Sequence, residues 1–366
     1  MRIVSPFLKS VLYPAVSTLG VFRLMGSSGL AVVTYHGVAP QGYDAVDAAL
    51  DGNLVTADTL RQQLRFLRAH YNVVPPEDVL AWREGRGELP PRAVLLTCDD
   101  GLLNCLTDMV PVLQAQAVKC LFFVTGASAQ NSPTMLWYEK LFLLYLRAPA
   151  GSFKFTCGDV PIQVNLDSRE RQRASWWSSV KRLTRLSPEE RENFLAMVAG
   201  RFDLPMQPDL QNEHSATCRR FALLTGDELQ RLCGAGMTIG AHTMSHPILS
   251  QVSVEQAHAE IAESRQRIES AIGKRVWAFA YPFGDPQSVT AEVLDMPKKA
   301  GYELAFLNYG GGLGAELPPY AMPRLHVTAE MQIAELDAHL SGFYRRLRGG
   351  AGHRLQPAGA ADKKLS

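Results

Sequence analysis

Six short apolar runs, each about the length of one buried strand, recur along this chain of 366 residues. They are residues 30–35 (LAVVTY), 93–97 (AVLLT), 118–125 (VKCLFFVT), 237–241 (MTIGA), 276–282 (VWAFAYP) and 302–307 (YELAFL). Helical patterns alternate with them; the clearest begins with capping-box spacing from Ser253 to Gln256 and ends at Gly273. Apolar strands that alternate with helices are typical of a parallel sheet or barrel with covered faces. The sequence therefore predicts an α/β fold.

The pattern of strands is interrupted between residues 131 and 222, where the sequence reads as mainly helical. We expect this stretch to be an insert in a barrel domain of residues 30–344, preceded by an amphipathic segment at 1–29 and followed by a mobile tail at 345–366. Long insertions in short barrel connections are usually functional. Because the insert follows the strand at 118–125, it should emerge at the carboxyl ends of the strands.

Composition and the N-terminus limit the partners and the location. The formal net charge of +1 comes without any long basic tract, so nucleic acid is not an expected partner. Six cysteines without a CxxC pattern favour reduced, buried thiols in a cytoplasmic protein. The apolar stretch 11–22 is interrupted by Pro14 and is too short to span a bilayer. A signal peptide is the alternative, but an amphipathic helix on the domain or on a membrane surface fits better.

Two polar groups stand at the ends of predicted strands. Asp99, Asp100 and Gly101 follow the run at 93–97, and such a triplet is often only a solvated turn. His242 and His246 directly follow the run at 237–241. In a parallel α/β barrel the carboxyl ends of the strands converge on one face. A carboxylate and two histidines there would suit Zn²⁺ or a related divalent cation with open positions.

The order of these residues resembles a known family. Residues 97–101 (TCDDG) resemble the TFDDG motif of the polysaccharide deacetylases, the NodB-homology group of carbohydrate esterase family 4, and residues 242–246 (HTMSH) resemble their second motif. Residues 32–40 (VVTYHGVAP) and 279–286 (FAYPFGDP) resemble the opening segment and the third motif. The resemblance covers roughly residues 30–328. It implies a distorted (β/α)7-type barrel of the NodB-homology kind, here with a helical insertion.

The resemblance also implies roles for individual residues. Asp99 would be the general base that takes a proton from the attacking water. Asp100, His242 and His246 would bind a divalent metal, with Zn²⁺ as the first expectation and Co²⁺, Ni²⁺ or Mn²⁺ also compatible. The metal would lower the pKa of water and polarise the carbonyl. The backbone N–H of Phe283 would complete an oxyanion hole.

Further candidates surround this set. His326 stands near the position of the family's general acid, while His36 could be the acid or bind the product acetate. Arg324 could bind substrate or orient Asp99. Tyr281 is a substrate-binding candidate from the third motif. Trp137, the insert aromatic nearest a barrel strand, is predicted to lie at the mouth of the site and to bind substrate.

The sequence departs from the family pattern at two positions. Cys98 stands where Phe is usual, and its side chain should point away from the metal if the two aspartates point towards it. A nucleophilic role for Cys98 is a minor alternative. Ala280 stands where the third motif often has an Arg that pairs with the catalytic Asp, so what holds Asp99 in place is open at this stage.

These features predict a hydrolase that removes the acetyl group from an N-acetylated sugar by cleaving its carbon–nitrogen amide bond. The substrate would be a poly- or oligosaccharide, a glycolipid or a precursor in envelope or exopolysaccharide synthesis. Alternatives are a deacylase or deformylase of a small metabolite, and a non-catalytic sugar-binding protein on the same barrel. A non-haem iron oxygenase also uses two histidines and a carboxylate, but its fold is usually antiparallel. The N-terminal segment could contact a membrane peripherally.

Overall fold

The structure, a computed structural model, describes residues 8–24, 29–157, 160–310 and 318–343. The predicted tail at 345–366 and the first seven residues of the predicted N-terminal segment lie outside the described residues.

Seven parallel strands close into a barrel, which confirms the predicted fold. The strands of the chain are β1 Leu30–Tyr35, β2 Asn72–Val73, β3 Ala93–Cys98, β4 Leu121–Val124, β5 Ser152–Cys157, β6 Val160–Asn165, β7 Thr238–Ala241, β8 Ala278–Ala280, β9 Leu304–Gly310 and β10 Met322–His326. The barrel order is β1-β10-β9-β8-β7-β4-β3, and β3 closes the ring by pairing with β1 along its whole length. The ring is distorted, since β2 pairs with the first two residues of β3 and β4 pairs with the last two.

The α-helices of the described residues mostly cover the outside of the barrel and join its strands. They are α1 Tyr13–Thr18, α2 Val21–Leu24, α3 Ala48–Asp51, α4 Ala57–His70, α5 Pro76–Arg83, α6 Val110–Ala115, α7 Trp137–Arg147, α8 Arg169–Leu183, α9 Pro188–Arg201, α10 Ala216–Phe221, α11 Gly226–Gly234, α12 Val254–Ile272, α13 Ala291–Lys299 and α14 Ile333–Leu340. The capping box predicted from Ser253 to Gln256 is present at the start of α12, and Gly273 ends that helix with φ 64°. Apolar faces of these helices and the outward side chains of the strands form the largest core.

Alternation along each strand decides which side chains enter the barrel. On β3, Leu95 belongs to the inner core, whereas Leu96 and Cys98 belong to the outer core beneath the helices. Since side chains alternate between the two faces of a strand, the inward series continues through Thr97 to Asp99, just beyond the end of β3. The strand thus delivers a carboxylate to the top of the barrel interior.

Helices α7, α8 and α9 and the β5–β6 hairpin, which lie within the predicted insert of residues 131–222, form a unit with a core of its own. The unit lies over the carboxyl ends of the barrel strands. The ring of Tyr138 in α7 is 5.1 Å from the ring of His246, and the ring of Trp177 in α8 is 5.7 Å from that of Phe283.

The N-terminal helices pack against the last helix of the barrel. Tyr13 and Phe22 form a small cluster with Ala338 of α14 and with Phe343. In the part of the chain that the structure describes, no helix combines the length and the apolarity needed to cross a bilayer.

Candidate active site

Strand ends bring five of the predicted residues to one end of the barrel. By alternation, His242 follows Gly240 on the inner face of β7, and Arg324 and His326 follow Met322 on that of β10. His36 follows β1 in the same way, and Asp99 follows β3. Gly240 leaves room for this interior, because a Cβ there would lie 2.6 Å from the ring of Phe123.

Asp100, His242 and His246 form a compact, buried triad. Oδ1 of Asp100 is 3.6 Å from Nε2 of His242 and 3.3 Å from Nε2 of His246. One candidate ligand atom from each residue lies within 4.8 Å of the others. Burial raises the pKa of Asp100, but the neighbouring imidazoles of His242 and His246 outweigh it and hold the pKa well below the usual range. The carboxylate is therefore ionised and available as a ligand.

The two imidazoles are oriented so that each Nε2 faces the carboxylate. Nδ1 of His242 lies 2.7 Å from the carbonyl oxygen of Ala280. A carbonyl there accepts an N–H, which leaves Nε2 with a free lone pair, as in many metal-ligating histidines. Burial lowers the pKa of His246, which favours its neutral form. Two imidazoles and a carboxylate are the donor set that Zn²⁺ accepts with positions left open, so these residues fit the implied metal.

Strained backbone is concentrated at this site. Four of the seven non-glycine residues with positive φ in the described ranges belong to it: Asp100 (75°), Thr243 (65°), His246 (56°) and Phe283 (59°). Such conformations cost roughly 1–3 kcal/mol each and persist where the surroundings impose them. Gly101 continues the turn with φ 74°, and a Cβ there would lie 2.9 Å from Val124. The turn formed by the positive φ angles of Asp100 and Gly101 places the side chain of Asp100 beside the histidines instead of on the outer face of β3.

Asp99 is held by Arg324, which supplies the positive charge that an Arg at the position of Ala280 would otherwise provide. Nη1 of Arg324 donates to Oδ1 of Asp99 over 2.7 Å and Nη2 donates to Oδ2 over 2.5 Å. The same guanidinium donates to Oγ1 of Thr97 and to the carbonyl oxygen of Leu307. Burial raises the pKa of Asp99, but the guanidinium lowers it below the ordinary value. Arg324 is fully buried and paired with Asp99, which favours the orienting of Asp99 over the binding of substrate.

His36 and His326 face each other across the top of the barrel. Their rings stack at 4.6 Å between centroids. Nδ1 of His326 lies 3.4 Å from Nδ2 of Asn308, while Nδ1 of His36 and Nε2 of His326 have no partner in the described chain. Burial and the neighbouring His36 lower the pKa of His326 to about 3, so its ring is neutral at neutral pH.

Phe283 stands beside the triad. Its ring centroid is 4.9 Å from that of His246. Within the residues that the structure describes, its backbone N–H has no acceptor. Phe283 itself has positive φ and lies beyond the end of β8.

Two predicted substrate-binding residues lie elsewhere. Tyr281 is buried on the outer face of β8, where alternation places it after Phe279, and its hydroxyl donates to the carbonyl oxygen of Tyr320. Trp137 is buried in the core of the insert instead of lining the mouth. Adjacent helical residues point about 100° apart, and the next residue, Tyr138, is the one whose ring reaches His246. The insert lies at the end of the barrel where the sequence predicts it, and Tyr138, not Trp137, is the residue of α7 whose ring contacts His246.

Cys98 lies on the far side of the strand from the triad. Its Sγ is 3.6 Å from Sγ of Cys105 in the outer core, and burial raises its pKa well above the usual range. Neither property suits a nucleophile.

Comparison with known proteins shows a likeness to one family over part of the chain. Residues 210–305 match a sequence model described as "Polysaccharide deacetylase". His242, His246 and Phe283 lie within the matched range. The curated protein YxkH of Bacillus subtilis, whose name refers to a polysaccharide deacetylase, is 23% identical over 120 residues, or 33% of this chain. That match spans 42% of the length of YxkH.

Solved structures share the fold. A Streptococcus pyogenes deacetylase, PplD in complex with acetate, superposes with a TM-score of 0.51 at 17% identity, covering 86% of this chain and 99% of that one. A de-N-acetylase of Aggregatibacter actinomycetemcomitans gives a TM-score of 0.53 at 14% identity, covering 85% and 100% of the two chains. IcaB of Ammonifex degensii gives 0.53 at 16% identity, covering 86% and 97%.

The solved structures share the barrel, and the sequence model and the curated relative agree with the resemblance indicated by the motifs: over the matched residues this chain is similar to the polysaccharide deacetylases.

Proposed function

We propose that this protein is a metal-dependent hydrolase that removes the acetyl group from an N-acetylated carbohydrate. The observation that carries the proposal is the pairing of two carboxylates with separate surroundings: Asp100 faces two imidazoles, and Asp99 is bound by a guanidinium. Neighbouring carboxylates that differ in this way can take different roles.

A divalent ion held by Asp100, His242 and His246 would supply Lewis acidity and lower the pKa of water. In the proposed reaction Asp99 accepts a proton from the attacking water, since its lowered pKa keeps it ionised at neutral pH. Arg324 fixes the direction of both oxygens of Asp99 and balances its charge inside the barrel. The free N–H of Phe283 donates to the oxyanion that forms at the acetyl carbon.

The leaving amine needs a proton, and His326 and His36 are the two candidates. A neutral His326 has no acidic proton to spare, so it must take up a proton within the reaction cycle before it can act as the acid. The stacked His36 stays the alternative, either as the acid or as a residue that binds acetate.

An aromatic wall formed by Tyr138, Trp177 and Phe283 supports a carbohydrate substrate. Their rings lie in a chain beside His246, at 6.0 Å between Tyr138 and Phe283 and 5.7 Å between Trp177 and Phe283. Trp177 is 36% exposed although it is large and apolar. Aromatic faces with one exposed side suit the apolar faces of sugar rings. We therefore assign residues 131–222 the role of an insert that shapes the substrate site.

The alternatives are weaker. A sugar-binding protein without activity is compatible with Ala280 but not with the intact Asp99, Asp100, His242 and His246, and Arg324 supplies the positive charge at Asp99 that Ala280 does not. An oxygenase of the facial-triad type is disfavoured by the parallel barrel. A deacylase of a small metabolite shares every catalytic residue, and only the aromatic wall argues for a larger substrate.

The deciding experiment measures acetate release and metal content on the same preparation. Purified protein loaded with Zn²⁺, Co²⁺, Ni²⁺ or Mn²⁺ is incubated with N-acetylglucosamine oligomers, lipid-linked N-acetyl sugars and small N-acetyl or N-formyl metabolites. The proposal expects release that needs the metal and Asp99, with sugars preferred. Activity confined to small metabolites would replace it by the deacylase alternative, and sugar binding without release by any metal form would contradict catalysis.

The location proposed is cytoplasmic, with the N-terminal helices in contact with a membrane surface. The six cysteines have free thiols, four of them buried, which favours a reducing compartment. Val11, Leu19 and Val21 are 52%, 77% and 36% exposed within one short segment, and an exposed apolar strip of this kind suits the interface of a bilayer.

A further inference from the structure

Arg191, on α9 of the insert, is a buried cation that the catalytic scheme does not use. Its side chain is almost inaccessible, with 2% of the residue exposed, and no carboxylate lies within ion-pair distance of it among the described residues. Burying a charge is costly unless other groups compensate it. Its surroundings should therefore show what holds it there.

Two contacts hold the guanidinium. The first is the ring of Trp137, with the guanidinium carbon 5.0 Å from the ring centroid. A guanidinium over an indole face gains a cation–π attraction that increases when the pair is desolvated. The second contact is a hydrogen bond of 2.6 Å from Nη2 to Oγ of Ser245. Trp137 thus serves as a platform that directs Arg191 towards the barrel.

Ser245 lies in the loop between the two histidine ligands. Its hydroxyl donates to Oε1 of Glu260 on α12, and its N–H donates to Oε2 over 2.8 Å. With its own hydrogen given to Glu260, the hydroxyl presents a lone pair to Arg191. The arrangement is an ordered chain from a cation through a hydroxyl to a carboxylate, and it joins α9, the histidine loop and α12.

This loop needs support because it is strained. Thr243 and His246 both have positive φ, and the N–H of His246 is bonded to Oγ1 of Thr243 over 3.0 Å. The N–H of Met244 donates to the carbonyl oxygen of Glu260. These hydrogen bonds come from the loop or from the barrel. The insert adds the hydrogen bond of Arg191 to Ser245, beside the ring contact of Tyr138 with His246.

We infer that Arg191 is a positioning residue of the metal site: through Ser245 it holds the loop that carries His246, so that docking of the insert sets the affinity and geometry of the bound metal. The inference rests on the proposed metal site. Groups that orient metal ligands without binding the metal typically contribute about 10–100-fold to metal affinity. The insert would therefore complete the metal centre as well as shape the substrate site.

The test measures metal binding directly. The dissociation constants of Zn²⁺ and Co²⁺ and the visible spectrum of the Co²⁺ form are compared for the wild type, Arg191→Met, Arg191→Lys and Ser245→Ala. Arg201→Met, which changes an exposed arginine on the same helix, is the matched control. We expect Arg191→Met and Ser245→Ala to bind metal about 10–100-fold more weakly with an altered Co²⁺ spectrum. Arg191→Lys should recover part of the affinity, and the control should match the wild type.

The outcomes separate this inference from the function. A wild type that binds neither ion would contradict the metal site and the inference together. A wild type that binds metal, with Arg191→Met giving the same affinity and spectrum, would overturn only the role of Arg191. If Arg191→Met does not fold, Ser245→Ala decides, because it removes one hydroxyl from a half-buried position. If the double variant Arg191→Met/Ser245→Ala binds metal no more weakly than either single variant, the two residues act through one shared chain of contacts.

Discussion

Arg324 on β10 and Asp99 at the end of β3 form a two-pronged ion pair in the barrel interior, with N–O distances of 2.7 and 2.5 Å. The two strands are not neighbours; β1 lies between them in the ring. The guanidinium spans the interior beside the ring of Phe123, 5.3 Å from its centroid. A side chain that crosses the barrel therefore supplies the positive charge that β8 lacks at Ala280.

Arg324→Met should destabilise the protein and shift its pH profile. Removing one partner leaves the other charge buried, which typically costs about 3–5 kcal/mol in the free energy of unfolding. Asp99 has a lowered pKa in the folded chain, so its contribution to stability is present above the unfolded pKa of about 3.9 and is lost as the pH falls through the folded value. Without the guanidinium, burial should raise that pKa and move the acid limb of kcat/KM to higher pH.

Urea unfolding and the pH dependence of kcat/KM measure the two effects. Arg220→Met is the matched control, because Arg220 is similarly buried and pairs with Asp51 and Glu139, neither of which contacts Asp99. It should lower stability but leave the acid limb in place. An unchanged acid limb in Arg324→Met would show that Arg324 does not set the ionisation of Asp99.

The barrel was predictable from the sequence because its strands are apolar and its helices have clear starts and stops. The run at 30–35 coincides with β1, and that at 93–97 is β3 without its last residue. Strand alternation, applied to the same residues, also predicts that Asp99 points inward and Cys98 outward. These features depend on local pattern, which a sequence displays directly.

The role of Arg324 depends on closure of the ring, which no local pattern displays. β10 carries Pro323 and Arg324 within five residues, so its strand signal is weak. Trp137 and Tyr138 show a second limit. Both are aromatic residues at the start of α7, and only packing of the helix decides which ring reaches His246.

Asp99→Asn and Asp100→Asn should fail in different ways. The first removes a base and leaves the three ligands, so metal content should persist while kcat falls about 10²–10⁴-fold. The second, like His246→Ala, removes a ligand and should weaken metal binding. Titration with Zn²⁺ and initial rates at saturating metal distinguish them. Equal loss of metal in both aspartate variants would contradict this division of roles.

His326→Ala should affect substrates according to their leaving group. An amine leaves poorly without a proton, so loss of the acid should lower kcat on an N-acetyl sugar about 10²–10⁴-fold. An activated aryl acetate needs no proton on its leaving group and should be hydrolysed at nearly the original rate. His36→Ala is the parallel variant. If it shows this selective loss and His326→Ala does not, His36 is the acid.

Because Val11, Leu19 and Val21 are exposed apolar residues of the N-terminal segment, we expect the protein to bind vesicles. Leu19→Glu, which places a charge on a residue that is 77% exposed, should reduce co-sedimentation with vesicles that contain anionic lipid. Val254→Glu makes a similar change at a residue that is 46% exposed on α12, and it should bind as the wild type does. A wild type that stays in the supernatant would remove the membrane from the proposal.

Trp177→Ala should raise KM for an oligosaccharide more than it lowers kcat. Trp177 belongs to the aromatic wall but not to the groups around the reacting atoms, so its removal should cost binding that ground state and transition state share. An aromatic contact of about 0.5–1.5 kcal/mol corresponds to a change of about 2–10-fold in KM. Trp82→Ala, which removes an indole packed beneath the inner core of the barrel, is the control and should leave KM unchanged.

KM is compared for a monosaccharide and for a longer oligomer. If Trp177→Ala leaves both KM values at those of the wild type, Trp177 does not bind the sugar chain. A larger effect of Trp177→Ala on the oligomer would place the extended part of the substrate along α8.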